Sequence, residues 1–125
     1  HVFKDGQSTA YTGLAGNCFW VRIEGRYGVA LAEHQVELAN AAVAKGPVRF
    51  FIDAEDLQGY DSDARNLLTK WCVKHLGDLA EVHILSDVRI VSMGVAVANI
   101  ALSGTLEAHD TWASFRTAFQ QSQAA

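Results

Sequence analysis

The sequence predicts one α/β domain built on a mixed, mostly parallel sheet of about four to five strands with about four helices. Three observations carry this. Strand and helix patterns alternate from residue 18 onward, which favours right-handed crossovers and parallel pairing. The segment Val48-Arg49-Phe50-Phe51-Ile52 is apolar on both faces apart from Arg49, as a central strand covered on both sides must be. And 125 residues, half of them hydrophobic, suffice for one core but not for two.

The first seven residues lack a hydrophobic pattern and do not begin with Met, so 1–7 reads as a disordered or tag-derived start. The domain is expected over 8–120, with 121–125 a frayed tail. Residues 8–25 give two short strands. In the second, from Cys18 to Glu24, Phe19, Val21 and Ile23 share a face, and Trp20, Arg22 and Glu24 lie on the more polar one. Val29, Ala32, Val36, Ala39 and Val43 then recur at helical spacing up to Lys45-Gly46-Pro47, which stops the helix.

After the central strand, Asp61 and Ser62 precede Ala64, Leu67, Leu68, Trp71, Cys72, His75, Leu76 and Leu79. This i, i+3, i+4, i+7 pattern is that of an amphipathic helix capped by Asp61-Ser62. Residues 81–86 form a further strand. Asp87 caps a helix over 88–102 that is apolar nearly all round, 105–109 form a short strand, and Asp110 or Thr111 caps a last helix bearing Trp112, Phe115 and Phe119. Those aromatics, with Trp71 and Met93, are expected in the core.

Several functions are excluded at this level. A net charge of −4 with ten dispersed basic residues offers no stripe for phosphates, so nucleic acid is not a partner. The longest apolar run, 88–102, is interrupted by polar residues and falls short of the roughly 20 needed for a membrane span. Cys18 and Cys72 show no metal-binding spacing and read as reduced apolar filler in a cytoplasmic protein.

The candidate working edge is the acidic stretch from Asp53 to Asp63, because in open α/β sheets the carboxyl ends of strands and the following helix starts line a shared crevice. Its residues Asp53, Asp56, Gly59, Tyr60, Asp61, Ser62 and Asp63 form the expected partner-binding loop. The carboxylates do not match a Ca²⁺ loop, so no metal site and no cofactor are expected. Ser62 has two readings, a helix cap or a site where a phosphate would meet the helix N-terminus. His75 and His83 are read as packed histidines, and Ser86 or Ser62 with His83 gives a minor esterase-like reading that lacks a nucleophile elbow. A small apolar ligand held by Trp71, His75, Met93 and Val97 is the alternative use of the two apolar helices.

The run from Ile52 to Ala64 resembles the STAS superfamily, the anti-sigma-factor antagonist fold, and in particular its SpoIIAA-like branch. Asp53 stands at the family's strand-ending Asp, Asp61-Ser62 at its Asp-Ser pair, and Ala64 where the family usually carries Gly. The resemblance implies a bacterial regulatory module without catalysis, with Ser62 as the phosphorylated residue and an anti-sigma factor or kinase-like regulator as partner. A homodimer, and a SpoIIAA-like carrier of a lipid-like ligand, are the alternatives it leaves open.

Overall fold

The structure, a computed structural model, describes residues 1–6, 8–86 and 106–124. Seven strands and three helices are seen among them. In chain order they are β1 (Val2–Asp5), β2 (Ser8–Ala15), β3 (Cys18–Tyr27), α1 (Val29–Val43), β4 (Val48–Asp53), β5 (Leu57–Tyr60), α2 (Ser62–Lys74), β6 (Leu79–Leu85), β7 (Leu106–His109) and α3 (Trp112–Ala124). A 3₁₀ turn, Leu76–Asp78, joins α2 to β6.

The sheet runs β1-β2-β3-β4-β6-β7, with β5 paired to the far end of β3. The first three strands are antiparallel, whereas β3, β4, β6 and β7 are parallel neighbours and β5 is parallel to β3. The apolar strand β4 is thus interior, as its sequence requires.

Alternation along β4 sorts the core into two layers. Phe50 turns toward α1 and α2, where Phe19 meets it edge-on at 5.0 Å and Trp71 at 6.3 Å. Phe51 turns to the other face, where α3 brings Phe115 and Phe119 to 5.7 and 5.1 Å. Cys18 belongs to the α3 layer and Cys72 to the α1–α2 layer, so the two free thiols lie on opposite sides of the sheet. Burial pushes the Cys72 thiol up to about 12, so it stays protonated at neutral pH. Burial likewise raises the Tyr27 hydroxyl, which donates to Gln35 Oε1 at 2.6 Å within the α1 layer.

At the start of the chain Val2–Asp5 pairs with β2, and Thr12 N–H donates to the His1 carbonyl at 2.9 Å. At its other end α3 continues to Ala124, and Arg49 Nη1 donates to the Ser122 carbonyl at 2.8 Å. Two expectations need correction. The sheet is larger than four to five strands, β1 and β5 being the additions. And α2 ends at Lys74, His75 closing it rather than continuing its apolar face. The expected cap Asp87 and the helix over 88–102, with Met93 and Val97, lie outside the described residues. No helix among the described residues is long and apolar enough to cross a membrane.

Candidate functional site

The loop between β4 and α2 is shaped by backbone bonds before any side chain acts. Asp53 Oδ1 accepts from Glu55 N–H at 3.1 Å, a turn that an Asp at a strand end makes readily. Ala54 N–H donates to the Leu85 carbonyl at 2.8 Å, which pins the loop to β6. Gly25 N–H donates to the Asp56 carbonyl at 3.2 Å, and β5 then pairs with β3 past a register shift between Gly25 and Arg26. The stretch expected as an open loop is therefore partly strand, and Leu57 is buried in the core.

Two arginines of β3 answer the acidic residues. Arg22 Nη2 donates to Asp56 Oδ2, and Arg26 Nε donates to Asp61 Oδ1 at 2.7 Å. Arg26 Nη2 lies 2.6 Å from the same Asp61 oxygen and also donates to the Tyr60 carbonyl at 3.2 Å. Gly59 lies close under this guanidinium, a Cβ there sitting 3.3 Å from Arg26 Nη1. Arg65, one turn into α2, places its guanidinium 5.7 Å from the Tyr60 ring centre. Arg22 and Arg26 are residues of this candidate edge that the sequence reading did not name.

Asp61 occupies the N-cap position of α2, yet its side chain makes no capping hydrogen bond, its carboxylate being held by Arg26. The expectation that Asp61 caps the helix through its side chain is thus corrected. Ser62 follows as the first helical residue and is exposed, its side chain making no hydrogen bond among the described residues. Asp63 is exposed beside it, and Ala64 is fully buried, so a methyl group fits where the resemblance expects Gly.

Of the residues expected to hold an apolar ligand, Trp71 and His75 lie at the end of α2, while Met93 and Val97 lie outside the described residues. Trp71 is buried, donates from Nε1 to Asn40 Oδ1 at 2.7 Å, and stacks at 4.6 Å on His75, whose Nδ1 faces Asp78 at 3.2 Å. On the opposite face of the sheet, however, a cavity of about 440 Å³ opens between β3, β4 and α3. Trp20, Phe51, Trp112 and Phe119 line it, with Arg22, Asp53 and Arg116 at polar positions. Trp112, expected in the core, is 52% exposed and forms part of its wall.

A third cluster lies on the β6–β7 side of α3. His83 stacks on Phe51 at 4.7 Å and places Nδ1 2.9 Å from His109 Nε2; His109 Nδ1 in turn faces Ser114 Oγ at 2.6 Å. Burial, opposed by Glu107, is the main cause that lowers the His109 pKa from its ordinary value. Ser114 is a serine whose hydroxyl faces His109, a pairing that the reading of Ser62 or Ser86 with His83 did not include. Among the described residues, His83, Glu107 and His109 are the group whose donor atoms converge, all within 4.8 Å of one another.

Comparison with known proteins places this architecture. No protein-family model and no curated protein sequence matches the chain. Among solved structures, an uncharacterised protein of the DUF3478 family with a SpoIIAA-like fold from Shewanella loihica PV-4 superposes with a TM-score of 0.70 at 18% identity, covering 92% of this chain and 97% of that one. An anti-sigma factor antagonist from Mycobacterium paratuberculosis superposes with a TM-score of 0.64 at 14% identity, covering 91% and 95%. The chain has a SpoIIAA-like fold.

Proposed function

We infer that this domain is a non-catalytic regulatory module that binds a protein partner through the edge formed by residues 53–63 and the start of α2, and that phosphorylation of Ser62 switches that binding. The observation that carries the reading is the arrangement at the head of α2. Ser62 is exposed in the first turn while the side chain that would cap the helix is committed to Arg26. The first-turn N–H groups therefore lack a side-chain acceptor from Asp61, and a phosphate on Ser62 would add acceptors and about −1.5 to −2 charge at that point. The added charge would compete with Asp61 for Arg26, which also holds the Tyr60 carbonyl, and so would couple modification to the head of α2. The fold likeness to an anti-sigma factor antagonist supports a partner of the anti-sigma or kinase-like class. Two free thiols support a reducing, cytoplasmic setting.

The test is phosphosite mapping on the protein isolated from its own cells, joined to partner capture by wild type, Ser62→Ala and Ser62→Asp. Phosphate at Ser62, with a partner retained by Ser62→Ala and lost by Ser62→Asp, is expected. An unmodified Ser62 together with identical capture by all three forms would refute the reading.

The aromatic cavity under α3 favours a second reading, carriage of a small apolar ligand, at a different place from the one the helix pattern indicated. Its volume and its Trp, Phe and Arg lining suit an apolar tail with an anionic end. A native mass that falls on denaturation, and that is absent from Phe119→Trp, is the expected signature; equal native and denatured masses would remove this reading.

A further inference from the structure

We propose that His83, His109 and Glu107 form a Zn²⁺ site that ties β6 to the edge strand β7. The pairing of these parallel strands sets His83 opposite Glu107 and Leu85 opposite His109, so that all three donor residues stand on the α3 face of the sheet. Zn²⁺ bonds of about 2.0–2.1 Å in tetrahedral geometry separate the donor atoms by about 3.3 Å. His83 Nδ1 lies 3.4 Å from Glu107 Oε2, already at that spacing. It lies 2.9 Å from His109 Nε2, a gap that opens by a few tenths of an ångström to admit the ion.

The surroundings fit the proton bookkeeping that a metal imposes. Coordination through Nδ1 leaves the His83 proton on Nε2, and coordination through Nε2 leaves the His109 proton on Nδ1. His109 Nδ1 then donates to Ser114 Oγ at 2.6 Å. His83 Nε2 is buried without a hydrogen-bond partner, in a residue only 4% exposed, and lies 3.7 Å from Glu81 Oε1. Glu81 turns its other oxygen to Ser122 Oγ–H at 3.0 Å and to Arg49 Nε at 3.1 Å, which leaves Oε1 for His83. A hydroxyl behind a metal-bound imidazole, as Ser114 stands behind His109, fixes tautomer and ring orientation in zinc sites, and the Glu81 carboxylate stands just beyond hydrogen-bond reach of His83 Nε2 at 3.7 Å. Phe51 and Phe115 cover the histidines with apolar surface, whereas Glu107 is exposed and leaves the fourth coordination position on the solvent side. Two imidazoles and one carboxylate with an open position suit Zn²⁺ better than Ca²⁺ or Mg²⁺, which take oxygen sets.

The experiment titrates chelator-treated full chain with ZnCl₂ by calorimetry and with Co²⁺ by visible absorption, for wild type, Glu107→Gln and His109→Gln. Wild type is expected to bind one Zn²⁺ with a rise in Tm, because the ion binds the folded state, and to give the visible bands of tetrahedral Co²⁺. Glu107→Gln, at an exposed position, is expected to keep the chelated protein's Tm while weakening Zn²⁺ by at least about tenfold, and His109→Gln to abolish the tetrahedral spectrum. Absence of stoichiometric binding overturns the proposal. So does binding unchanged in Glu107→Gln, since an ion held elsewhere, for instance by the terminal His1, would survive that substitution.

Discussion

Replacing Phe51 by Ala separates the two layers of this fold. Phe51 is wholly buried and is met by His83 at 4.7 Å, Phe119 at 5.1 Å and Phe115 at 5.7 Å, so its ring is the surface on which α3 rests. A buried Phe removes about 150–250 Å² from water, and Phe→Ala changes in cores cost about 3–5 kcal/mol. The void would open into the cavity already present beside Phe119, so the site can partly relax and the lower part of that range, about 3 kcal/mol, is expected. Phe50→Ala on the opposite face removes a ring packed edge-on between Phe19 and Trp71 and is expected to cost more, about 4–5 kcal/mol. Urea unfolding followed by circular dichroism measures both, with unchanged m-values required for the comparison. A loss below about 1 kcal/mol for Phe51→Ala would refute the reasoning, because α3 would then be held by something other than this aromatic layer.

Four further outcomes follow from single residues. Trp71→Phe deletes the donor to Asn40 Oδ1 and is expected to cost about 1 kcal/mol in the same urea experiment; no change would mean that water replaces the indole N–H. Gly13→Ala would put a Cβ 2.3 Å from Trp20 Cζ2, so the indole must swing away from β2, with a cost of about 1–3 kcal/mol and a shift in Trp emission; an unchanged spectrum would contradict that packing. In Cys18→Ala, which isolates Cys72, the remaining thiol is expected to resist a thiol reagent in the native state. The raised Cys72 pKa makes the native state hold a proton that the unfolded state gives up. Its contribution to stability is complete below about pH 9 and falls by about 1.4 kcal/mol per pH unit as pH rises toward about 12. Tyr27, raised in the same sense, adds to the alkaline loss, and a flat stability profile over that window would oppose both.

What could be read from the sequence, and what could not, divides by the range of the signal. α1 and α2 carry their own periodicity and β4 its apolar run, so Phe50, Phe51 and Trp71 announce their elements locally. β1 has four residues and makes sense only once β2 lies beside it. β5 is hidden because Gly59 and the flanking acids read as loop, and its partner is the end of β3, some 30 residues earlier in the chain. The site shows the same division. Ser62 and the acidic run were visible, but Arg22 and Arg26 gain meaning only when the fold sets β3 against the loop. His83 and His109 are 26 positions apart and meet through the parallel pairing of β6 and β7, which no local spacing encodes. Trp112 misled because an aromatic at helical spacing implies a core only where another layer covers it, and here it borders a cavity.

The most direct measurement of the central claim is the affinity of the partner captured by unmodified protein for two purified forms, one with Ser62 unmodified and one carrying phosphoserine at that position. A loss of at least about tenfold on phosphorylation, which corresponds to about 1.4 kcal/mol at the contact edge, is the expected result. Equal affinity of the two forms would contradict the claim that the head of α2 is the switch.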